Sequence, residues 1–222
     1  MQNQNKKKNI KYIINSPEFA EFYGLLIGDG CIYSNKSGLC ISGDSLLDKN
    51  YHTNHVKSLI NKIFHIKPKI YYSKGQRSIR TIIYSRKLSF SLNKMGFPLG
   101  KKKYQRLEIP KYFFNNNQLI RSCIKGIYDT DGTIYHHNGA KAIVEISITN
   151  NYLLKSIEKA FFQLNLPFKI TTERIYFSGK KNALNFYKII KPANKKHIIK
   201  YESLMNNKRI PSYKETERLL KQ

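Results

Sequence analysis

The sequence predicts an α+β protein in which one αββαββα unit is used twice, giving two pseudo-symmetric repeats that each carry an antiparallel sheet. Three observations carry this expectation. GLLIGDGCIY at residues 24–33 returns as GIYDTDGTIY at residues 126–135, with Gly24/Gly126, Asp29/Asp131, Gly30/Gly132, Ile32/Ile134 and Tyr33/Tyr135 identical. The segments that follow recur in the same order. KSLINKIFHIKPKI from Lys57 parallels KSIEKAFFQLNLPFKI from Lys155, and SRKLSFSLNKMGFPLGKKK from Ser85 parallels SGKKNALNFYKIIKPANKK from Ser178. Matches that stay in order over about 100 residues mark a duplication. Finally, the chain is 41% apolar and 13% aromatic, enough to build a core in both repeats and to exclude disorder for most of the length. The linker is EIPKYFFNNNQ at residues 108–118, so the halves are 1–110 and 111–222.

The elements follow in order. Ser16-Pro17-Glu18 is a helix start, with a hydroxyl at the N-cap and proline at the first helical position. Phe19, Phe22, Leu25 and Leu26 then recur at helical spacing, predicting a helix over 17–29 that stops at Gly30. CIYSNKSGLCIS predicts a hairpin around a polar turn at 35–38. Residues 47–64 return to helical spacing. KPKIYY and SIRTIIYS predict a second strand pair around Lys74-Gly75-Gln76-Arg77, and residues 86–95 a helix closed by Gly96. The asparagines at 115–117 supply an N-cap for the second repeat's first helix, and the tail from Pro211 reads as a short charged amphipathic helix that packs or frays.

Composition narrows the function. Against 40 Lys plus Arg stand 14 Asp plus Glu, a formal charge of +26 on 222 residues. That surface suits a polyanion, nucleic acid or an anionic membrane face, rather than an ordinary metabolite. No run of about 18 apolar residues exists to span a membrane, and MQNQNKKKN has no apolar stretch behind it to make a secretory signal. Three cysteines without a C-x-x-C pair argue against a disulfide framework and a four-ligand zinc site. An intracellular, reducing compartment is the expectation, cytoplasm or organelle matrix. No G-x-x-x-x-G-K-[ST] phosphate loop is present, His52 and His55 lack partners at zinc spacing, and His136-His137 reads as a pair for ordinary surface or DNA-backbone contact.

The chemistry centres on Asp29 and Asp131. A carboxylate at a helix C-terminus has the wrong sign for the helix dipole, so its recurrence at equivalent positions asks for a functional reason. Gly24 and Gly28, with Gly126 and Thr130, place small residues four apart and allow two helix backbones to approach. Side-by-side packing about a pseudo-twofold axis would bring both carboxylates to one end. There they repel unless a proton or a divalent cation intervenes, and oxygen ligands suit Mg2+. In a basic protein this constellation points to metal-assisted phosphodiester hydrolysis.

FYGLLIGDG (22–30) and IKGIYDTDG (124–132) resemble the two motif helices of a single-chain LAGLIDADG homing endonuclease. The resemblance covers nearly the whole chain and implies homing-endonuclease-like repeats with antiparallel DNA-binding sheets. It implies metal ligation by Asp29 and Asp131, with the main-chain carbonyls of Gly28 and Thr130 as secondary contacts. The sixth motif position, often acidic, is Ile27 in one copy and Asp129 in the other, a departure that touches capping and packing. A basic residue beside each site is implied too: Lys102 in GKKK, and Lys195 or Lys196 in NKKH. Asp44 and Asn150 are weaker candidates for positioning solvent. Mg2+ is the expected cofactor, with Mn2+ substituting and Ca2+ binding without supporting cleavage.

For recognition, a β-ribbon fits the major groove. Alternation nominates Tyr33, Lys36, Lys69, Tyr71, Arg77, Arg80, Ile82 and Tyr84 in the first half, and Tyr135, His137, Lys141, Lys169, Thr171, Arg174 and Tyr176 in the second. Two such surfaces in tandem span about two turns of duplex, and their differences imply an asymmetric site. The resemblance thus implies a monomeric, site-specific endonuclease that leaves short 3′ overhangs and is carried by a mobile intron or related element. The alternatives are a non-cleaving intron RNA maturase or DNA-binding regulator of the same fold, and a basic structural or ribosome-associated protein whose binding is governed by salt.

Overall fold

The computed structural model describes residues 13–137 and 141–221; the segment MQNQNKKKN and residues 138–140 lie outside them. Helix α1 (Pro17–Ile27) opens as the sequence predicts. Ser16 Oγ accepts the Phe19 N–H at 3.1 Å and Pro17 occupies the first turn. Its residues from Phe19 to Ile27 are buried without a polar face, because α1 lies between its own sheet and the equivalent helix of the other repeat. That helix, α4 (Asn117–Asp131), is capped by Asn116, whose Oδ1 accepts the Gln118 N–H at 2.8 Å.

The two motif helices touch backbone to backbone. A Cβ on Gly24 would collide with the Cys123 carbonyl oxygen and lie 3.0 Å from its carbon. A Cβ on Gly126 would collide with the Glu21 carbonyl and lie 2.8 Å from the Leu25 nitrogen. Glycine at both positions is therefore what lets the helices meet.

Strands β1 (Gly30–Ile32), β2 (Leu39–Gly43), β3 (Lys69–Tyr72) and β4 (Ile79–Ile83) form an antiparallel sheet in the order β1-β2-β4-β3. Strands β5 (Gly132–His137), β6 (Lys141–Ser147), β7 (Lys169–Ile170) and β8 (Arg174–Ser178) repeat it as β5-β6-β8-β7. Alternation divides each strand: Ile32, Leu39, Ile41, Ile79 and Ile83 are fully buried in the core. The register Cys31↔Cys40, Cys40↔Ile82, Ile82↔Lys69 and Arg80↔Tyr71 sets the outward face of the first sheet.

Helices α2 (Lys57–Phe64) and α3 (Arg86–Lys94) complete the first repeat, and α5 (Asn151–Gln163) and α6 (Lys180–Ile190) the second. The helix expected over 47–64 differs at its start. Tyr51–Val56 is a π-helical turn leading into α2. The wider winding is accompanied by inward contacts of two successive residues, Tyr51 to Asp129 at 3.1 Å and His52 to Thr81 Oγ1 at 2.8 Å. The second repeat adds α7 (Lys195–Asn207), where the sequence reading saw only a basic run, and the chain closes with α8 (Tyr213–Leu219), whose Ser212 and Glu215 form a capping box.

Candidate active site

Asp29 and Asp131 sit together where α1 and α4 end. A Cβ on Gly28 would collide with Thr130 Oγ1 and lie 3.0 Å from Asp131 Oδ2, so glycine leaves the room that the second carboxylate occupies. Burial, and then the neighbouring charge of Asp29, pushes the Asp131 carboxyl up to about 7, with Lys102 and Lys196 acting in the opposite direction. Burial also raises Asp29, opposed first by Lys196 and then by Lys102. Two crowded, partly desolvated carboxylates of this kind hold a proton or a cation more readily than they hold two bare charges.

Two of the three nominated lysines reach this centre. Lys102 Nζ donates to the helix-end carbonyls of Leu26 at 2.9 Å, Ile27 at 2.5 Å and Gly28. It thereby places a cation at the negative end of α1. Burial pulls its ammonium down, while Asp131 and Asp29 act to hold its proton. Lys196, in the first turn of α7, pairs with Asp48 Oδ1 at 2.8 Å and is felt by both aspartates. Lys195 is exposed, so the geometry separates the adjacent pair in favour of Lys196.

The remaining motif position has a structural explanation. Asp129 is 1% exposed and accepts the backbone N–H groups of Ala193 and Asn194 at 3.0 Å and the Tyr51 hydroxyl at 3.1 Å. Burial raises it to about 6 against those N–H groups. It fixes the entry to α7, and with it Lys196. Ile27 needs no such carboxylate because Lys102 arrives on an extended segment, tied to β1 by the bridge Ile32↔Leu99 and the Gly100 N–H to Ile32 carbonyl bond at 2.8 Å.

Among the described residues no cluster of three or more His, Cys, Asp or Glu side chains could hold a metal ion. The available donors are the two carboxylates and the main-chain carbonyl of Thr130, since the Thr130 hydroxyl donates to the Gly126 and Ile127 carbonyls within its helix at 3.1 and 2.9 Å, whereas the Gly28 carbonyl expected as a ligand already accepts the Lys102 ammonium. This oxygen-only set fits a hard divalent ion that keeps water and phosphate oxygens in its remaining positions.

The outward sheet faces gather most of the nominated recognition residues. Lys69, Tyr71 and Arg80 are exposed on β3 and β4, Tyr84 just follows β4, and Tyr33 and Lys36 lie at the end of β1 and in its turn. Lys36 adopts φ 56° there, with its Nζ 4.4 Å from the Phe90 ring centre. On the second sheet Tyr135, His137, Lys141, Lys169, Arg174 and Tyr176 line one shallow depression of about 170 Å³. Thr171 is exposed in the turn after β7, closed by its N–H to the Arg174 carbonyl at 2.9 Å.

Three nominations look different in place. Ile82 shares the outward register yet is only 9% exposed. Arg77 is engaged by Asp44 at 3.2 Å, Glu217 at 3.5 Å and the Tyr213 ring at 4.8 Å, so α8 occupies it. Asp44 belongs to this network: burial works against it, but the Leu47 N–H, the Tyr213 hydroxyl and further donors bring it down to about 2. The sequence reading also missed Glu145, which accepts Tyr135 Oη at 2.8 Å, Ser147 Oγ at 3.2 Å and Arg174 Nη1 at 3.2 Å. Its place in an alternating strand was the available signal. By register Glu145 stands where the first sheet has Cys40, since each lies opposite a pair of outward neighbours, Cys31 and Ile82 there, Thr133 and Tyr176 here. The two outward faces are thus chemically unlike.

No family model and no curated protein matches the chain. Solved structures do. The structure of I-DmoI in complex with DNA and Mn is similar over 78% of this chain and 96% of that chain, at 19% identity and TM-score 0.55. The N-terminal LAGLIDADG domain of DUF199/WhiA is similar over 88% and 96%, at 17% identity and TM-score 0.54. Full-length DUF199/WhiA from Thermatoga maritima is similar over 94% of this chain and 69% of that one, at 16% identity and TM-score 0.55. With two antiparallel four-stranded sheets flanking a pair of glycine-packed motif helices, the chain has the LAGLIDADG homing-endonuclease fold.

Proposed function

We propose that the protein is a site-specific endonuclease of double-stranded DNA that hydrolyses one phosphodiester bond in each strand and leaves short 3′ overhangs. The carrying observation is the meeting of Asp29 and Asp131, with Lys102 and Lys196 acting on both carboxylates, between two sheets that present basic and aromatic side chains. Neighbouring structures support the reading, since I-DmoI is described in complexes with DNA and Mn or Ca. Lys196 would hold and polarise the water network, and Lys102, whose three N–H groups rest on the α1 carbonyls, would contribute its positive charge to stabilise the phosphorane. Asp29 and Asp131, with the Thr130 carbonyl, would hold Mg2+, which when bound supplies Lewis-acid activation of water and stabilisation of the leaving oxygen; the Gly28 carbonyl would join them where Lys102 releases it. Mn2+ substitutes for it and Ca2+ supports binding alone. One chain carries both halves of the pseudo-twofold, so the working unit is a monomer on an asymmetric site of about two duplex turns. The free thiols of Cys31, Cys40 and Cys123 suit a reducing compartment.

The test is cleavage of a randomised duplex library in Mg2+, Ca2+ and EDTA, beside Asp29→Asn. Discrete cuts that need Mg2+ and vanish in the variant support the proposal and reveal the target. Binding without cuts in every condition, from a library that covers the site, refutes it in favour of a non-cleaving regulator or, where intron RNA is bound instead, a maturase.

A further inference from the structure

Each central lysine is supported by the opposite repeat, Lys196 through its ammonium and Lys102 through the backbone of its loop. Lys196 belongs to the second half, yet its Nζ lies 2.8 Å from Oδ1 of Asp48 in the first. Asp48 is 5% exposed, and the same oxygen accepts Asn194 Nδ2 at 2.7 Å, while its other oxygen accepts the Asp44 N–H at 2.9 Å. Asn194 in turn caps α7 through the Lys196 N–H at 3.3 Å. One carboxylate therefore holds the side chain of Lys196 and the start of its helix together.

Lys102 shows a backbone counterpart, its Nζ resting on the α1 carbonyls of its own repeat. It ends the first repeat, and its loop is held by Asn150 of the second. Asn150 Nδ2 faces three carbonyls, those of Lys102 at 3.2 Å, Lys103 at 3.1 Å and Gln105 at 2.8 Å. Its Oδ1 meanwhile caps α5 by accepting the Tyr152 and Leu153 N–H groups, each at 3.1 Å. One lysine comes from each half of the pseudo-twofold, Lys102 from the first and Lys196 from the second, and each is supported by a residue of the other half.

We infer that Asp48 and Asn150 are positioning residues that work across the repeat interface, Asp48 setting Lys196 and Asn150 setting Lys102, so that the two strand cuts depend on different residues. A long lysine side chain with several free torsions gains a single working position only when something rigid holds it. Crossed support also makes each half-site complete only when the repeats are correctly docked. The strand assignment rests on the endonuclease reading; the grip itself does not.

Two near-isosteric changes test it. Asp48→Asn removes the charge that holds Lys196, and Asn150→Asp keeps the α5 cap but turns the three-carbonyl donor into an acceptor. The first readout needs neither metal nor DNA: limited acetylation by acetic anhydride, quantified lysine by lysine by mass spectrometry, with exposed Lys195 as internal reference. The expected result is a rise of about fivefold or more at Lys196 alone in Asp48→Asn, and at Lys102 alone in Asn150→Asp. The second readout is single-turnover cleavage of a supercoiled plasmid bearing the recovered target. Each variant is expected to slow one strand about tenfold or more and to accumulate nicked circles, on opposite strands in the two variants, with DNA affinity held within about twofold. The inference is overturned if folded variants, checked by thermal melting, label like the wild type, or if both strands slow equally. Should Asp48→Asn fail to fold, Asn150→Asp decides, since its cap is intact. A wild-type chain that cuts no DNA refutes the endonuclease reading and the strand assignment, while the labelling pattern still decides the grip.

Discussion

Replacing Asp131 with asparagine is expected to destroy cleavage and yet stabilise the metal-free protein. The folded carboxyl is raised from 3.8 to about 7 by burial and by Asp29. A folded pKa above the unfolded one means that the native state binds the extra proton. Stability is then highest below the unfolded value and falls as pH rises through the folded one. The shift is about 3 units, and at about 1.4 kcal/mol per unit the ceiling on the penalty above pH 7 is about 4 kcal/mol. Residual solvent at the mouth of the cleft and adjustment of the lysines reduce this, so about 2 kcal/mol is the working figure. For a chain of this length that is a rise of about 4–8 °C in Tm. The assay is thermal unfolding in EDTA at pH 7.5 and pH 5. At pH 5 the native carboxyl is already protonated, so the advantage of Asp131→Asn should shrink to less than half. Saturating Mg2+ should raise the wild-type Tm and leave the variant unmoved. If Asp131→Asn melts lower than the wild type at pH 7.5, or if the gap is the same at both pH values, the two carboxylates are not strained against each other and the argument for a cation between them fails.

Three further outcomes follow from the packing and the surface. Gly126→Ala should cost about 3 kcal/mol or more, because the new methyl would meet the Glu21 carbonyl and the Leu25 nitrogen, both backbone atoms with no rotamer to yield; denaturant unfolding measures it, and a loss below about 1 kcal/mol would mean the helices can part without penalty. Tyr51→Phe should cost about 1–2 kcal/mol by removing the hydroxyl that reaches Asp129 between the repeats, read as an unchanged m-value with a lower midpoint. Lys69→Ala and Arg80→Ala should each lower the slope of log affinity against log salt by about 1 if they meet phosphate, whereas Arg77→Ala, already occupied by Asp44 and Glu217, should change it least.

Motif, duplication and charge were legible because each is local or additive. Helix starts at Ser16 and Asn116, the hairpin turns near Lys36 and Gly75, and the paired Asp-Gly ends announce themselves within a few residues. The crossed supports of the lysines were not. Asp48 and Asn194 are 146 residues apart, and Asn150 and Lys102 are 48 apart, so no periodicity links them. Asp44 and Arg77 likewise read as separate surface residues until α8 folds back onto both.

The amino-acid sequence by itself determined the repeated α+β unit, the glycine seam between its motif helices, the two carboxylates and the positive field, since spacing and composition dictate each of these. The tertiary structure decided the rest: that Lys196 rather than Lys195 turns inward onto Asp48, that Asp129 serves as a clamp, and that Glu145 gives the second outward sheet face a different chemistry from the first. The physical reason is that the direction of a long side chain and the burial of a charge depend on which distant elements surround it, and the glycine-packed interface brings those elements together.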